Sequence, residues 1–300
     1  MTQRNSHPND FPLGSCDCHV HIYGPFDRFP LDATPPGAAP NRFIPTREFP
    51  VELLLQTWQD IGVSRGVIAH AGNKASDNAV TLDALKRYPD KLRGIAQISP
   101  DITDSRLDEL SDAGFRGVRI NMLRQEGRPI VYPGAMTYED LELLAPRIAE
   151  RGWHAQLWIE TGDLQELAPK LERLPLDFVI DHQGRTMADK TVNYEGFRWF
   201  CDRLKSGRYW CKLSGADRNT RTGAPYADTE DFMRALVAAN PDRLVWGTDW
   251  PHVGHTNESL PKESVLIDLF KRCVPDIDTR RRILVDNPVN LYGFKADEDR

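Results

Sequence analysis

The chain has no long apolar run: nowhere do the roughly 20 consecutive apolar residues needed to span a bilayer occur. Its five cysteines, Cys16, Cys18, Cys201, Cys211 and Cys273, are odd in number and scattered, which argues against a disulfide framework. An excess of positive charge is missing too. Lys and Arg number 38 against 44 Asp and Glu, a formal net charge of −6, so neither nucleic acid nor an anionic membrane is expected as a partner. The opening residues MTQRNSHPNDFPLG hold no apolar segment of the secretory kind, and a cytoplasmic location is expected. No GxGxxG or Walker-type loop follows an early strand, and there is no short-period repeat or low-complexity linker.

What is present is a repeated unit of short apolar strand, polar loop and amphipathic helix. The pattern predicts strands over Ser15–Ile22, Arg65–His70, Leu92–Ile98, Phe115–Ile120, Trp153–Glu160, Phe178–His182, Tyr209–Leu213 and Leu244–Thr248. Helical spacing appears over Val51–Ile61, Asn78–Tyr88, Tyr138–Arg151, Asp163–Leu171, Gly196–Leu204 and Thr229–Ala239. Thr161, Asp228 and Thr229 read as helix start signals. Strict alternation argues for a parallel sheet, and about eight units in 300 residues favour a closed (β/α)8 barrel over an open sheet. The expected division is a tail over 1–14, one barrel domain over 15–294 and a tail over 295–300, with DNPVNLYGF as a last helix packed on the barrel. The Pro-rich run Phe29–Pro50 follows the first strand at once and reads as a long loop over the barrel mouth rather than a linker.

Active sites of such barrels lie at the carboxyl ends of the strands. Asp17-Cys18-His19-Val20-His21 ends the first strand, and strict alternation would put Asp17, His19 and His21 on one face and Cys18 and Val20 on the other. Asp181-His182-Gln183-Gly184-Arg185 follows a sixth apolar strand, and Trp246-Gly247-Thr248-Asp249-Trp250-Pro251-His252 an eighth. Three strand ends thus offer His19, His21, His182 and Asp249. A carboxylate among imidazoles, free of an arginine partner, can take a proton from water, and the imidazoles can polarise a carbonyl or stabilise an oxyanion. The acidic chain would attract an anionic substrate only through local arginines. Arg119, Arg185, Arg124 and Arg218 fall near the same face and suit carboxylates through their bidentate fork, whereas Arg128 and Arg221 read as solvated charge.

HVH in the first strand, DHxGR in the sixth, WGTDWPH in the eighth and a closing DNPxxLYGF resemble the amidohydrolase-2 branch of the amidohydrolase superfamily. The resemblance spans nearly the whole chain, including Asp77-Asn78 and Gly117-Val118-Arg119, and is strongest to the 2-pyrone-4,6-dicarboxylate lactonases and related sugar-lactone enzymes. It implies lactone hydrolysis with His19, His21 and His182 at the scissile carbonyl and Asp249 activating water. Arg119 and Arg185 would then hold substrate carboxylates. Trp158 stands near where those lactonases tend to carry a substrate-contacting Tyr, and its indole offers only an N–H donor.

The superfamily's usual metal ligands are incomplete, because FRGVRIN lacks a lysine and His154 lies at the wrong end of WHAQLWIE. No cofactor is therefore expected. The alternatives are a zinc enzyme using His19, His21, His182 and Asp249 as ligands, or a lactone isomerase. A small anionic molecule is the expected partner; a homo-oligomer is compatible with the sequence, which does not fix the state.

Overall fold

The computed structural model describes residues 10–31, 45–70, 77–125, 127–130 and 135–295. Residues 32–44 of the expected mouth loop, the first nine residues, residues 296–300 and the Arg128 side chain lie outside the described residues.

Eight parallel strands follow one another around the sheet in sequence order: β1 (Cys16–Val20), β2 (Arg65–Ala69), β3 (Leu92–Ala96), β4 (Phe115–Asn121), β5 (His154–Trp158), β6 (Phe178–Ile180), β7 (Tyr209–Leu213) and β8 (Leu244–Trp246). The last strand returns to the first through backbone hydrogen bonds, Asp249 N to His19 O at 2.8 Å and His21 N to Trp250 O at 2.8 Å. The expected (β/α)8 barrel is the fold, and all eight anticipated strands are present.

Helices α1 (Val51–Ile61), α2 (Ala79–Arg87), α3 (Asp104–Ala113), α4 (Tyr138–Ala149), α5 (Thr161–Leu171), α6 (Glu195–Leu204), α7 (Glu230–Ala239) and α8 (Glu263–Cys273) surround the strands. In α1 the residues Val51, Leu54, Trp58 and Ile61, three or four apart, form the buried stripe. Burying each such side chain contributes roughly 1.5–3 kcal/mol. Thr137 caps α4 in a reciprocal box with Asp140, and Gly62 ends α1 in the left-handed conformation that glycine adopts without strain.

The start signals read from sequence stand at their helix starts, Thr229 at the N-cap of α7, but their side chains bond elsewhere than to the capped backbone. Thr161 is the first helical residue and bonds Thr186 Oγ1, Thr229 bonds Tyr226 O, and Asp228 accepts from Thr220 and Arg221.

Two layers of apolar contact result. Between strands and helices lie Val20, Ile68, Val118, Leu157 and Ile180 with Leu54, Trp58, Leu107 and Leu144. A second cluster joins Cys16, Cys18, Val67, Ile95, Val179, Trp210 and Val245 to Tyr292 and Phe294. Residues from six strands can meet one another only inside the barrel. Tyr292 and Phe294, at and just after the last helix (Asn287–Tyr292), close its floor as the sequence suggested. Phe11, in the segment expected as a tail, is buried edge-on against Trp246 and Phe270.

Strict alternation fails in β1. Its register with β2 slips by one residue between Asp17 and Val20, a bulge. Cys16 and Cys18 therefore join the barrel interior, directly beneath the histidines rather than turned away from them. Asp17 instead accepts from Trp58 Nε1 of α1, the Thr248 hydroxyl and the Thr248 backbone.

Candidate active site

The four residues anticipated from the strand ends come together at the carboxyl mouth. His19, His21, His182 and Asp249 are all buried. Asp249 Oδ1 lies 3.3 Å from His21 Nε2 and 3.5 Å from His19 Nε2, and the His19 ring centroid is 4.6 Å from that of His182.

Each imidazole is fixed from behind through its δ-nitrogen. His21 Nδ1 donates to the Ala69 carbonyl at 2.8 Å, because a carbonyl can only accept. His182 Nδ1 meets Ser214 Oγ at 3.0 Å. His19 Nδ1 lies 3.2 Å from Asp181 Oδ1 and 3.4 Å from Lys212 Nζ.

The β6 end is held in an uncommon conformation. His182, Gln183, Gly184 and Arg185 all have positive φ, between 47° and 68°, although only one is glycine. Such residues persist only when the surroundings over-determine them. Asn219 Nδ2 donates to His182 O, Gln183 Nε2 to Ser214 O, and Arg185 Nη1 to Arg218 O and Asn219 Oδ1, so the segment after β7 clamps the turn. A Cβ on Gly215, itself at φ +69°, would come within 2.6 Å of the His182 Cβ. One on Gly247 would come within 2.8 Å of the His19 Cβ. Both glycines are therefore the room that two site histidines occupy.

The expectation that Asp249 is free of an arginine partner is overturned. Arg218 Nε contacts Asp249 Oδ2, and Arg218 Nη2 donates to Val253 O at 3.1 Å. Burial opposes the Asp249 charge, yet Arg218 and the imidazoles hold its carboxyl well below the usual carboxylate range. Burial drives His19 down to about 3 and His182 well below the ordinary imidazole value, so both rings are neutral near pH 7.

The other arginines divide. Arg119 donates to Asp181 Oδ2 at 3.0 Å and His70 O at 2.9 Å, with its guanidinium 5.2 Å from the Trp158 ring. Trp158 also packs edge-to-face with His182, their ring centroids 6.0 Å apart, and Arg185 is half-buried beside Arg218. Arg124 instead lies exposed, paired with Asp163 and Glu166. Arg221 is exposed with Asp189, as expected of solvated charge.

Sequence reasoning passed over the support below the histidines. Lys212 is fully buried and donates to Cys18 O and Gln156 Oε1, each at 2.7 Å. Asp181 accepts from Arg119 and Gln156, and His19 and the arginine hold its carboxyl well below the usual range against the effect of burial. Burial lowers Lys212 to about 8. The available signal was a charge inside an apolar strand, YWCKL, and an acid immediately before a site histidine.

The donor set also fits a divalent ion. Ligand atoms of His19, His182 and Asp249 lie within 4.8 Å of one another, and His19 Nε2 is buried without a hydrogen-bond partner. δ-Nitrogens tied off behind the rings are the usual outer support of metal-binding imidazoles. A cavity lined by Tyr23, Phe29, Leu31, Ile68, His70 and Val80 includes none of His19, His182 and Asp249 in its wall. Among the described residues no helix is long and apolar enough to cross a membrane.

Comparison with known proteins agrees with the strand-end motifs. The family model described as Amidohydrolase (Amidohydro_2) matches residues 16–294. A 4-sulfomuconolactone hydrolase of Hydrogenophaga intermedia is 34% identical over 286 residues, 95% of this chain and 90% of the relative. A 2-pyrone-4,6-dicarboxylate hydrolase of Comamonas testosteroni is 33% identical over 94% of this chain and 90% of the relative. Among solved structures, a probable 2-pyrone-4,6-dicarboxylic acid hydrolase from Acinetobacter baumannii with citric acid bound superposes with a TM-score of 0.77 at 26% identity, covering 94% of this chain and 100% of that one. With the two histidines at the end of β1, the histidine after β6 and the aspartate after β8 all at one mouth, and a family model spanning the whole barrel, this chain belongs to the amidohydrolase family of enzymes.

Proposed function

We propose that the chain hydrolyses a small carboxylated lactone of the 2-pyrone-4,6-dicarboxylate kind. The observation that carries this reading is the convergence of Asp249 Oδ1 with two imidazole ε-nitrogens, while Arg218 touches the other oxygen of the same carboxylate. The lactone hydrolases among the relatives support the substrate class.

In the proposed reaction a water oxygen adds to the lactone carbonyl carbon while its proton passes to Asp249. His19, His21 and His182 orient the ester and stabilise the tetrahedral oxyanion; the ring C–O bond then breaks to leave a new carboxylic acid, and the departing ring oxygen takes the proton held by Asp249 to become a hydroxyl. Arg119, Arg185 and Arg218 receive the carboxylates already on the substrate, with Trp158 against the ring. Arg218 has a double task. While it holds Asp249 the carboxylate is a weak base, and a substrate anion drawing the guanidinium away would restore its basicity. Arg124, exposed and paired with two acids, is left with the outer approach.

The reaction so written needs no cofactor. A zinc-type ion, if bound, would be held by His19, His182 and Asp249 and would act as a Lewis acid on the carbonyl.

The test is loss of ultraviolet absorbance of 2-pyrone-4,6-dicarboxylate with metal-free and zinc-loaded protein side by side. Turnover in both supports the proposal, turnover only with zinc moves the three residues into the ligand role, and turnover in neither discards this substrate. Asp249→Asn should lower kcat by about 10²–10⁴ with the fold intact, and wild-type turnover in that variant would refute the assignment of the base.

A further inference from the structure

Tyr23 continues the i, i+2 series of His19 and His21, and neither the strand-end motifs nor the proposed reaction uses it. Its backbone is pinned on both sides by Phe49: Tyr23 N donates to Phe49 O at 2.9 Å, and Phe49 N to Tyr23 O at 2.8 Å. Its ring centroid lies 6.5 Å from those of His21 and Phe49. The side chain is 2% exposed, and its hydroxyl has no hydrogen-bond partner among the described residues. A buried hydroxyl left unpaired is costly, and phenylalanine would fill the same space without that cost.

A bound ligand would supply the partner that the hydroxyl lacks. The charged groups acting on it are Asp249, Arg119 and Arg218, so it shares the field of the base and of two arginines at the mouth. Burial, reinforced by Asp249, pushes the phenol well above its ordinary value, and the group is a neutral O–H throughout the working range. Arg119 and Arg218 bring positive charge but are already engaged with Asp181 and Asp249. An anion entering beside them needs a further donor whose proton is not committed.

We propose that the Tyr23 hydroxyl is that donor: it hydrogen-bonds the anionic substituent of the bound lactone and makes Tyr23 a substrate-binding residue. The inference rests on the lactonase reading for its substrate, though not for the anion itself.

The experiment compares wild type with Tyr23→Phe in three measurements. Loss of one hydrogen bond to a charged group should raise KM for 2-pyrone-4,6-dicarboxylate by about 10- to 100-fold, with kcat held within about threefold. Citrate, a small polycarboxylate, should bind the variant more weakly by a similar factor in calorimetry. The variant should melt at or above the wild-type temperature, since the hydroxyl it loses has no partner in the free protein. A kcat loss at constant KM would overturn the proposal by making the phenol an acid in the chemical step. Unchanged KM and citrate affinity, or a lowered melting temperature that accounts for the weaker binding, would overturn it as well.

The two readings fail separately. Wild-type protein that binds citrate more tightly than Tyr23→Phe but opens no lactone keeps the Tyr23 contact and discards the lactonase. Wild-type protein that binds no citrate and shows no Tyr23-dependent KM discards the contact.

Discussion

Acid should destabilise this protein through its buried histidines, two of which take no part in the proposed reaction. His70 and His154 are 6% and 3% exposed. Burial, aided by Arg119 near the first and Lys212 near the second, lowers them from 6.5 to about 4 and about 3. An unfolded chain therefore binds a proton at each site below about pH 6.5, and the native protein does not until its lower value is reached. Stability is then complete above pH 6.5 and is lost as pH falls towards 4 and 3. At pH 5 each site costs about 2 kcal/mol relative to neutral pH, hence about 4 kcal/mol for the pair. Against a typical total of about 5–15 kcal/mol this is a large fraction.

Urea unfolding followed by tryptophan fluorescence at pH 7, 6 and 5 measures it. His154→Leu isolates one site. His154 Nε2 is buried without a hydrogen-bond partner, so the change removes a titration together with a ring contact to Tyr292, and the pH slope rather than the absolute stability is the readout. The slope of stability against pH between 5 and 6 should fall by roughly one proton, about 1.4 kcal/mol per pH unit. An unchanged slope in His154→Leu would refute the reasoning.

Gly215→Ala puts a methyl against His182 at a left-handed position, and should cut kcat by more than about tenfold through misplacement of the ring, read by steady-state kinetics. Asp17, buried beneath the seam, is raised by burial to about 6, and the Thr248 hydroxyl is one of the donors that limit the rise. Thr248→Val should therefore cost about 1–3 kcal/mol at pH 7, where Asp17 is ionised, and less at pH 5, as compared by denaturant midpoints. If His19, His182 and Asp249 can hold zinc, adding it to chelator-treated protein should raise the melting temperature by mass action, and Asp249→Asn should abolish the rise.

Legibility in the sequence followed local pattern. The eight strands could be read because each is a short apolar run, and the mouth residues because they stand immediately after such runs. Helix α3, DSRLDELSDA, went unread since only Leu107 and Leu110 bury, too few to show a period. The bulge in β1 was invisible because alternation is assumed until a partner strand shows the slip, and so Cys16 and Cys18 were turned the wrong way. Arg218 reaches Asp249 across 31 residues, a pairing fixed by the barrel's closure and by no local signal. The left-handed turn over His182–Arg185 was equally hidden, since a single glycine does not announce four positive φ angles.

The hydrogen bonds that close the barrel run through the site itself, from Asp249 to His19 and from His21 to Trp250. A growing chain released from the ribosome only as far as β7 would have the two histidines at the end of β1 and the histidine after β6, but neither the carboxylate nor the partner strand that aligns β1. Catalytic competence must then arise at the last joining event of folding rather than accumulate along the way. Recovery of turnover during refolding would report the meeting of the two ends of the sheet, and would lag behind any spectroscopic signal averaged over the whole molecule.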